Sequence, residues 1–467
     1  MLALLLLGVL ILVLYVQPAK RVFSLTITVP DEYSTIQEAI NVASSGGTIF
    51  IKNGTYNENV IVNTTVSLIG ESVEGTIVDG QNTSDTISLT ADNVEITNLT
   101  VTNSNGTYPN SGIFLNHVEN SIVTGNNVSG NNGHGIFVMW GTNNFIVNNV
   151  VTHNAKPGIR VDGSNAPAKV VNNTVGYNQE DGIFLYSVID VLVEDNTILD
   201  NVYNGISPQG GSNNTSIRRN LIMSNGWHGI FIATSSNDSI SDNNVRLNSQ
   251  DGIQLYVSSN CDIYGNNITE NSWDGIFSDN ASDNKIYHND VIGNGWHQAS
   301  IGSTGSSLHN VWNDGYPSGG NYWSDYAGTD SNSDGIGDTP YTIDASNQDR
   351  YPLVNPWPQA PQAASQAIHL LLTLEPNQAT NTRRQSITLT ISVFNKLSRS
   401  LNSTLILTVT GPEIYYMNFQ SINVTADTVG EYSFAWDIPN ASGTYVVEVS
   451  LIPPLLTAYD AVWLEVA

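Results

Sequence analysis

Apolar positions along this chain come in short alternating triplets set between Asn, Gly and Ser, and from residue 112 onward they recur with a fixed period. Gly-Ile stands at Gly112, Gly135, Gly158, Gly182, Gly205, Gly229, Gly252 and Gly275, so successive intervals are 23, 23, 24, 23, 24, 23 and 23 residues. Each interval holds three β-type segments separated by turn residues. Segments this short bury no core alone; they must stack, each strand pairing with its copy in the next coil. The period therefore predicts a parallel β-helix, since helical repeats and propeller blades need longer units and leucine-rich units a different spacing.

Within a coil the period of two assigns faces. Ile113, Ile136, Ile159, Ile183, Ile206, Ile230, Ile253 and Ile276 follow the repeat glycines, and this unbroken column points inward together with the residues two positions on. The residues between them point outward: Phe114, Phe137, Arg160, Phe184, Ser207, Phe231, Gln254 and Phe277. Upstream, Ser34-Thr35-Ile36-Gln37 has capping-box form, and Ile36, Ala39, Ile40 and Ala43 make an apolar helical stripe ending before Gly46-Gly47. A helix there covers the open strand edge of the first coil.

The pattern divides the chain into residues 1–22, an apolar leader; 23–315, the β-helix; 316–365, an acidic and then Pro-rich segment; and 366–467, where the repeat is gone. In the last part seven alternating segments, from HLLLTLEP to AVWLEVA, describe an Ig-like β-sandwich, with spacer or display module as its simplest role. The sequence Asp330-Ser331-Asn332-Ser333-Asp334-Gly335-Ile336-Gly337-Asp338 spaces Asp330, Asn332, Asp334 and Asp338 as calcium-loop oxygen ligands, with the Ile336 carbonyl between. Tyr341 stands where the bidentate glutamate belongs, so Ca2+ at millimolar extracellular levels competes here with a plain acidic turn.

The stretch STIQEAINVASSGGTIFIKNGTYNENVIVNTTVSLIGES resembles the opening of right-handed β-helix proteins of the pectin-lyase-like group. The Gly-Ile coils and GGNYWSDYAGTDSNSDGIGDTPYTI resemble the NosD-like family, whose repeats are also called carbohydrate-binding and sugar-hydrolysis domains. The likeness spans residues 28–355 and implies a right-handed helix with polysaccharide lyases, hydrolases and epimerases among the relatives. It also links the chain to periplasmic copper delivery.

Composition narrows the partners. With 42 acidic and 15 basic residues the formal charge is −27, which repels phosphate backbones and excludes nucleic acid. Leu2–Val16 is apolar and precedes Lys20-Arg21, the form of a secretory signal or, at most, an N-terminal membrane anchor. Dense Asn-x-Ser/Thr sequons permit glycosylation, and the location expected is extracellular, cell-surface or periplasmic. Oligomeric state is left open.

Candidate chemistry gathers just before the repeat glycines, at Ser111, His134, Pro157, Asp181, Asn204, His228, Asp251 and Asp274, with His297 continuing the spacing. Stacked coils set such equivalents about 4.8 Å apart. Asp251 and Asp274 then fall near the separation of a retaining glycosidase pair, with His228 as acid or base. Alternatively these are turn residues bonding neighbouring amides. Phe184, Phe231, Phe277, Tyr186, Tyr256, Trp227, Trp273 and Asp181 together offer rings and acceptors to a polysaccharide or other glycan. Both the glycan-binding and the catalytic groove require Asp251 and Asp274 uncovered and facing outward. Eight scattered histidines, one Cys and four Met make a poor copper set. The expectation is a surface-associated glycan-binding β-helix protein. A glycan-active lyase, hydrolase or epimerase, a structural envelope component and a copper-related periplasmic protein are the alternatives.

Overall fold

The computed structural model describes residues 26–163, 168–302 and 309–358 with their side chains, and backbone strands between 368 and 466. The leader at 1–22 and most of the Pro-rich stretch lie outside the described residues. Three long parallel sheets wrap one interior. The first has 12 strands, from Thr26–Val29 to Lys285–Tyr287; the second has 12, from Gly54–Asn57 to Tyr322–Trp323; the third has 11, from Val60–Val62 to Ala299–Ile301. Each strand pairs in parallel with its copy one coil on, and Ile113 sits opposite Ile136 and Ile276 opposite Ala299 in the third sheet. The expected inward column is fully buried from Ile113 to Ile276.

The repeat glycine is required by packing. A Cβ on Gly229 would lie 2.3 Å from Val245 Cγ1, 2.7 Å from the Gly252 carbonyl and 2.8 Å from Asn248 Nδ2. Interior corners are filled with asparagine. Asn126, Asn149, Asn173, Asn196, Asn220, Asn243, Asn266, Asn289 and Asn321 form one ladder, in which each backbone N–H donates to the next side-chain Oδ1 at 2.8–3.1 Å. A second ladder runs from Asn131 to Asn294 at the next corner, between the second and third sheets. These corners are where a three-sided coil leaves amides unpaired, and the side chains supply the acceptors.

The opening helix is Ile36–Val42, with Thr35 as N-cap accepting from Glu38 N–H, one residue later than the predicted box. Glu58 accepts the free N–H groups of Ile36 and Gln37, and Ile36, Ala39 and Ile40 face the first coil. At the other end the helix outlasts the boundary at 315. Trp312 and Trp323 are buried, and the first ladder ends when Asn321 N–H donates to Asp349 Oδ2 at 2.7 Å. Residues 309–358 are therefore the terminal cap of the β-helix. All seven later segments are strands. They form a three-stranded sheet (368–375, 386–395, 428–437) and a five-stranded one (380–381, 459–466, 443–452, 401–410, 415–424). No helix among the described residues is long and apolar enough to cross a membrane.

Candidate functional site

The outer face of the third sheet carries the side chains of interest, because its strands present the residue after each repeat Ile to the exterior. Phe184, Phe231 and Phe277 are half-buried there, alternating with Ser207 and Gln254. One edge is the column two residues before the repeat glycine: Tyr203, Trp227, Gln250, Trp273 and Trp296. Its rings pair along the helix axis, Tyr203 on Trp227 at 4.6 Å and Trp273 on Trp296 at 4.8 Å. Tyr186 and Tyr256, both exposed, mark the other edge. Because the stacked rings turn faces toward one another, the surface they offer outward is made of ring edges and the free face of Trp296, which is 61% exposed. Phe114 and Phe137 occupy the same outward position but are buried, which the strand period alone did not reveal.

The acids predicted for the site do come together, under this face. Asp181, His228, Asp251 and Asp274 are all at least nine-tenths buried. Asn204 N–H donates to Asp181, His228 N–H to Asn204, Asp251 N–H to His228 Nδ1 at 3.3 Å, Asp274 N–H to Asp251 Oδ1 at 2.9 Å and His297 N–H to Asp274 Oδ1 at 3.0 Å. The column is thus a third ladder, doing at the outer corner what asparagine does inside. With Asp251 and Asp274 covered, both the binding and the catalytic groove expected on this column fail, since a retaining pair needs carboxylate oxygens that reach the sugar, and what stays open on the face is its aromatic rows. Burial pushes the Asp181 carboxyl up to about 6 against the pull of the Asn204 hydrogen bonds.

The ladder holds from Asp181 to His297 and fails on the coils just before it, where His134 N–H donates to the Asn110 carbonyl instead. Pro157 has no N–H to give, and His134 Nδ1, one coil before it, is buried without a partner. Burial, then the charges of Arg160 and Lys156, push that imidazole down to about 3, so it is neutral. At the other end of the column His297 is open: its side chain is 66% exposed, while Nδ1 lies 2.8 Å from Asp274 Oδ1. Ser300 Oγ donates to Asp274 Oδ2 at 2.5 Å. The sequence placed His297 in the column but carried no sign that it would be the exposed member.

The acidic loop folds on itself. Asp330 accepts from the Asp334 and Gly335 amides, Asn332 Nδ2 donates to Asp334, Asp334 accepts from Ile336 N–H, and Asp338 turns to Ser331 and Thr329. Among the described residues no three His, Cys, Asp or Glu side chains gather as a metal set. Cys261 is buried, and desolvation pushes its thiol up to about 12.

Comparison with known proteins agrees with this architecture. A family model described as a right handed beta helix region matches residues 157–314, and one described as periplasmic copper-binding protein (NosD) matches residues 40–222. No curated protein sequence matches the chain. Among solved structures, the A-module of the Azotobacter vinelandii mannuronan C-5 epimerase AlgE6 is 18% identical, covering 60% of this chain and 93% of its own, with a TM-score of 0.51. The Dettilon tailspike protein is 12% identical over 88% of this chain and 93% of its own, at 0.49. Pectate lyase Pel9A is 14% identical over 60% and 75%, at 0.36. Three parallel sheets and a 23-residue coil give the chain the right-handed parallel β-helix fold, and over the residues matched it is similar to the right handed beta helix region and NosD families.

Proposed function

We propose that this is an exported β-helix protein that binds a polysaccharide along the outer face of its third sheet. The observation that carries the reading is the row of half-open Phe184, Phe231 and Phe277, two coils or about 9.6 Å apart with Ser207 and Gln254 between them, beside the edge of Trp227, Gln250, Trp273 and Trp296. Half-open rings interleaved with Ser, Gln and Tyr give apolar contact to sugar C–H groups and hydrogen bonds to hydroxyls. The mannuronan C-5 epimerase module, alike in fold, acts on a polysaccharide, which supports a polysaccharide partner here. The two C-terminal sheets are read as an Ig-like spacer.

A glycan array with the full chain tests this. A set of polysaccharides should bind, and Phe231→Ala and Trp227→Ala should each weaken binding about tenfold, near 1.4 kcal/mol, without lowering the melting temperature. No bound glycan, or variants that bind as well as the parent, would end the reading. One observation favours an enzyme instead: His297 is exposed and oriented by the buried Asp274, the arrangement of a general acid–base group. New reducing or unsaturated ends on the bound glycan, lost in His297→Ala, would establish that reading.

A further inference from the structure

The aromatic face is open at one end and closed at the other. The turn entering the strand Ser111–Asn116 is long: eight positions separate Asn103 from Ser111, whereas four separate the paired residues Gly130 and His134. The extra residues carry Tyr108, whose ring lies 5.9 Å from Phe137 and 6.2 Å from His134. This is why Phe137 and Phe114 are covered while Phe184, Phe231 and Phe277 are half-open. Arg160 extends the closure. Its guanidinium carbon sits 5.2 Å from the Tyr108 and Phe137 rings and 5.0 Å from the Phe184 ring, bridging the loop to the first open ring.

Between loop and face lies a cavity of about 100 Å³ lined by Tyr108, Asn110, His134, Lys156, Arg160 and Glu180. Lys156 and Glu180 belong to the same edge column as Tyr203 and Trp227, so the cavity lies at the end of the aromatic face, in line with its edge. Its charges are matched: Lys156 pairs with Glu180 at 2.8 Å and Arg160 with Asp162 at 2.8 Å. Paired donors and acceptors with a neutral imidazole suit hydroxyl groups better than a bare ion. The volume admits several waters, which sugar hydroxyls can replace.

From this geometry we infer that the closed end is a pocket for the terminal residue of a glycan chain, so that the protein recognises chain ends. The inference rests on the glycan reading above. A chain running through would meet the Tyr108 loop; a chain ending there places its last ring against Tyr108 and Phe184 and its hydroxyls among Lys156, Glu180 and His134.

The test is competition by mannuronan, polygalacturonate, xylan and β-glucan, each intact and after limited acid hydrolysis, at equal mass of sugar. End recognition makes the mass needed for half-competition fall about tenfold when chain length is cut about tenfold, because only ends are counted. Tyr108→Ala or, where uncovering Phe137 lowers the melting temperature, Lys156→Ala should remove that advantage. If intact and hydrolysed forms of a bound glycan compete equally by mass, end recognition is overturned while the glycan reading stands. If none competes in any form, the glycan reading falls and this inference with it.

Discussion

At the scale of one residue, each ladder asparagine holds several backbone groups at once. Asn220 Oδ1 accepts from Asn196 N–H at 2.9 Å and from Asn196 Nδ2 at 3.0 Å, and its own Nδ2 donates to the Val193 and Arg218 carbonyls. Asn220→Ala strands the buried Asn196 donors, at a cost of about 2–4 kcal/mol. Asn220→Asp keeps the acceptor but loses both donors and buries a charge, so it should be no milder. Both variants should show a lower denaturation midpoint, and a midpoint within error of the parent would mean that water replaces the ladder. The sequence displayed these asparagines as turn punctuation. Their burial was not legible, since Asn in an exposed turn and Asn filling an interior corner look alike one coil at a time. The outer column was harder still. Asp251 and Asp274 stand in register as their spacing required, but that each side chain caps the next coil's amide depends on where the corner lies.

For a strand or turn, the repeat glycines and the left-handed glycines answer to different forces. Gly229 has no room: Gly229→Ala would drive a methyl into Val245 and the Gly252 carbonyl and separate two sheets. The expected loss is about 3 kcal/mol or more. Gly293 has open space but a φ of +62°, so Gly293→Ala should cost only about 1 kcal/mol of backbone strain. Urea midpoints of the two variants test the contrast; equal shifts would show that the Gly-Ile period reflects backbone conformation instead of close packing. The period read from sequence was reliable here because a clash at every coil tolerates no exception. The terminal cap was missed for the opposite reason. Its ladder residues still bond in two pairs, Asn310 to Asn347 and Asn321 to Asp349, but the chain between partners wanders over 37 and 28 residues, and no period survives.

For the whole molecule, buried acids set the pH response. Burial is the largest influence on Asp85, Asp181, Asp195, Asp238 and Asp349, and each is pushed up to about 6. An unfolded aspartate titrates near 3.9, so between about pH 4 and 6 the folded chain holds more protons than the unfolded one at these sites. Their stability contribution is whole below the unfolded value and is lost as pH rises through 6. His134 opposes this. Pushed down to about 3, it stays neutral while the unfolded imidazole charges below about 6.5, and His288 is lowered as well. Five acids against two imidazoles leave stability falling from about pH 4.5 to 6.5, then levelling, and falling again in stronger acid as His134 is forced to charge. Relief of the −27 net charge has the same sign, but salt near 1 M screens it and leaves buried carboxylates largely untouched. Asp238→Asn separates the two: it puts an amide where Asn284 and Asn310 stand in later coils, beside Ser235 and the Thr215 amide. The variant should gain of the order of 2 kcal/mol at pH 7.5, gain little at pH 4.5, and flatten the slope between them in high salt. Equal effects at both pH values would show that Asp238 is ionised throughout and that the acid preference belongs to surface charge alone.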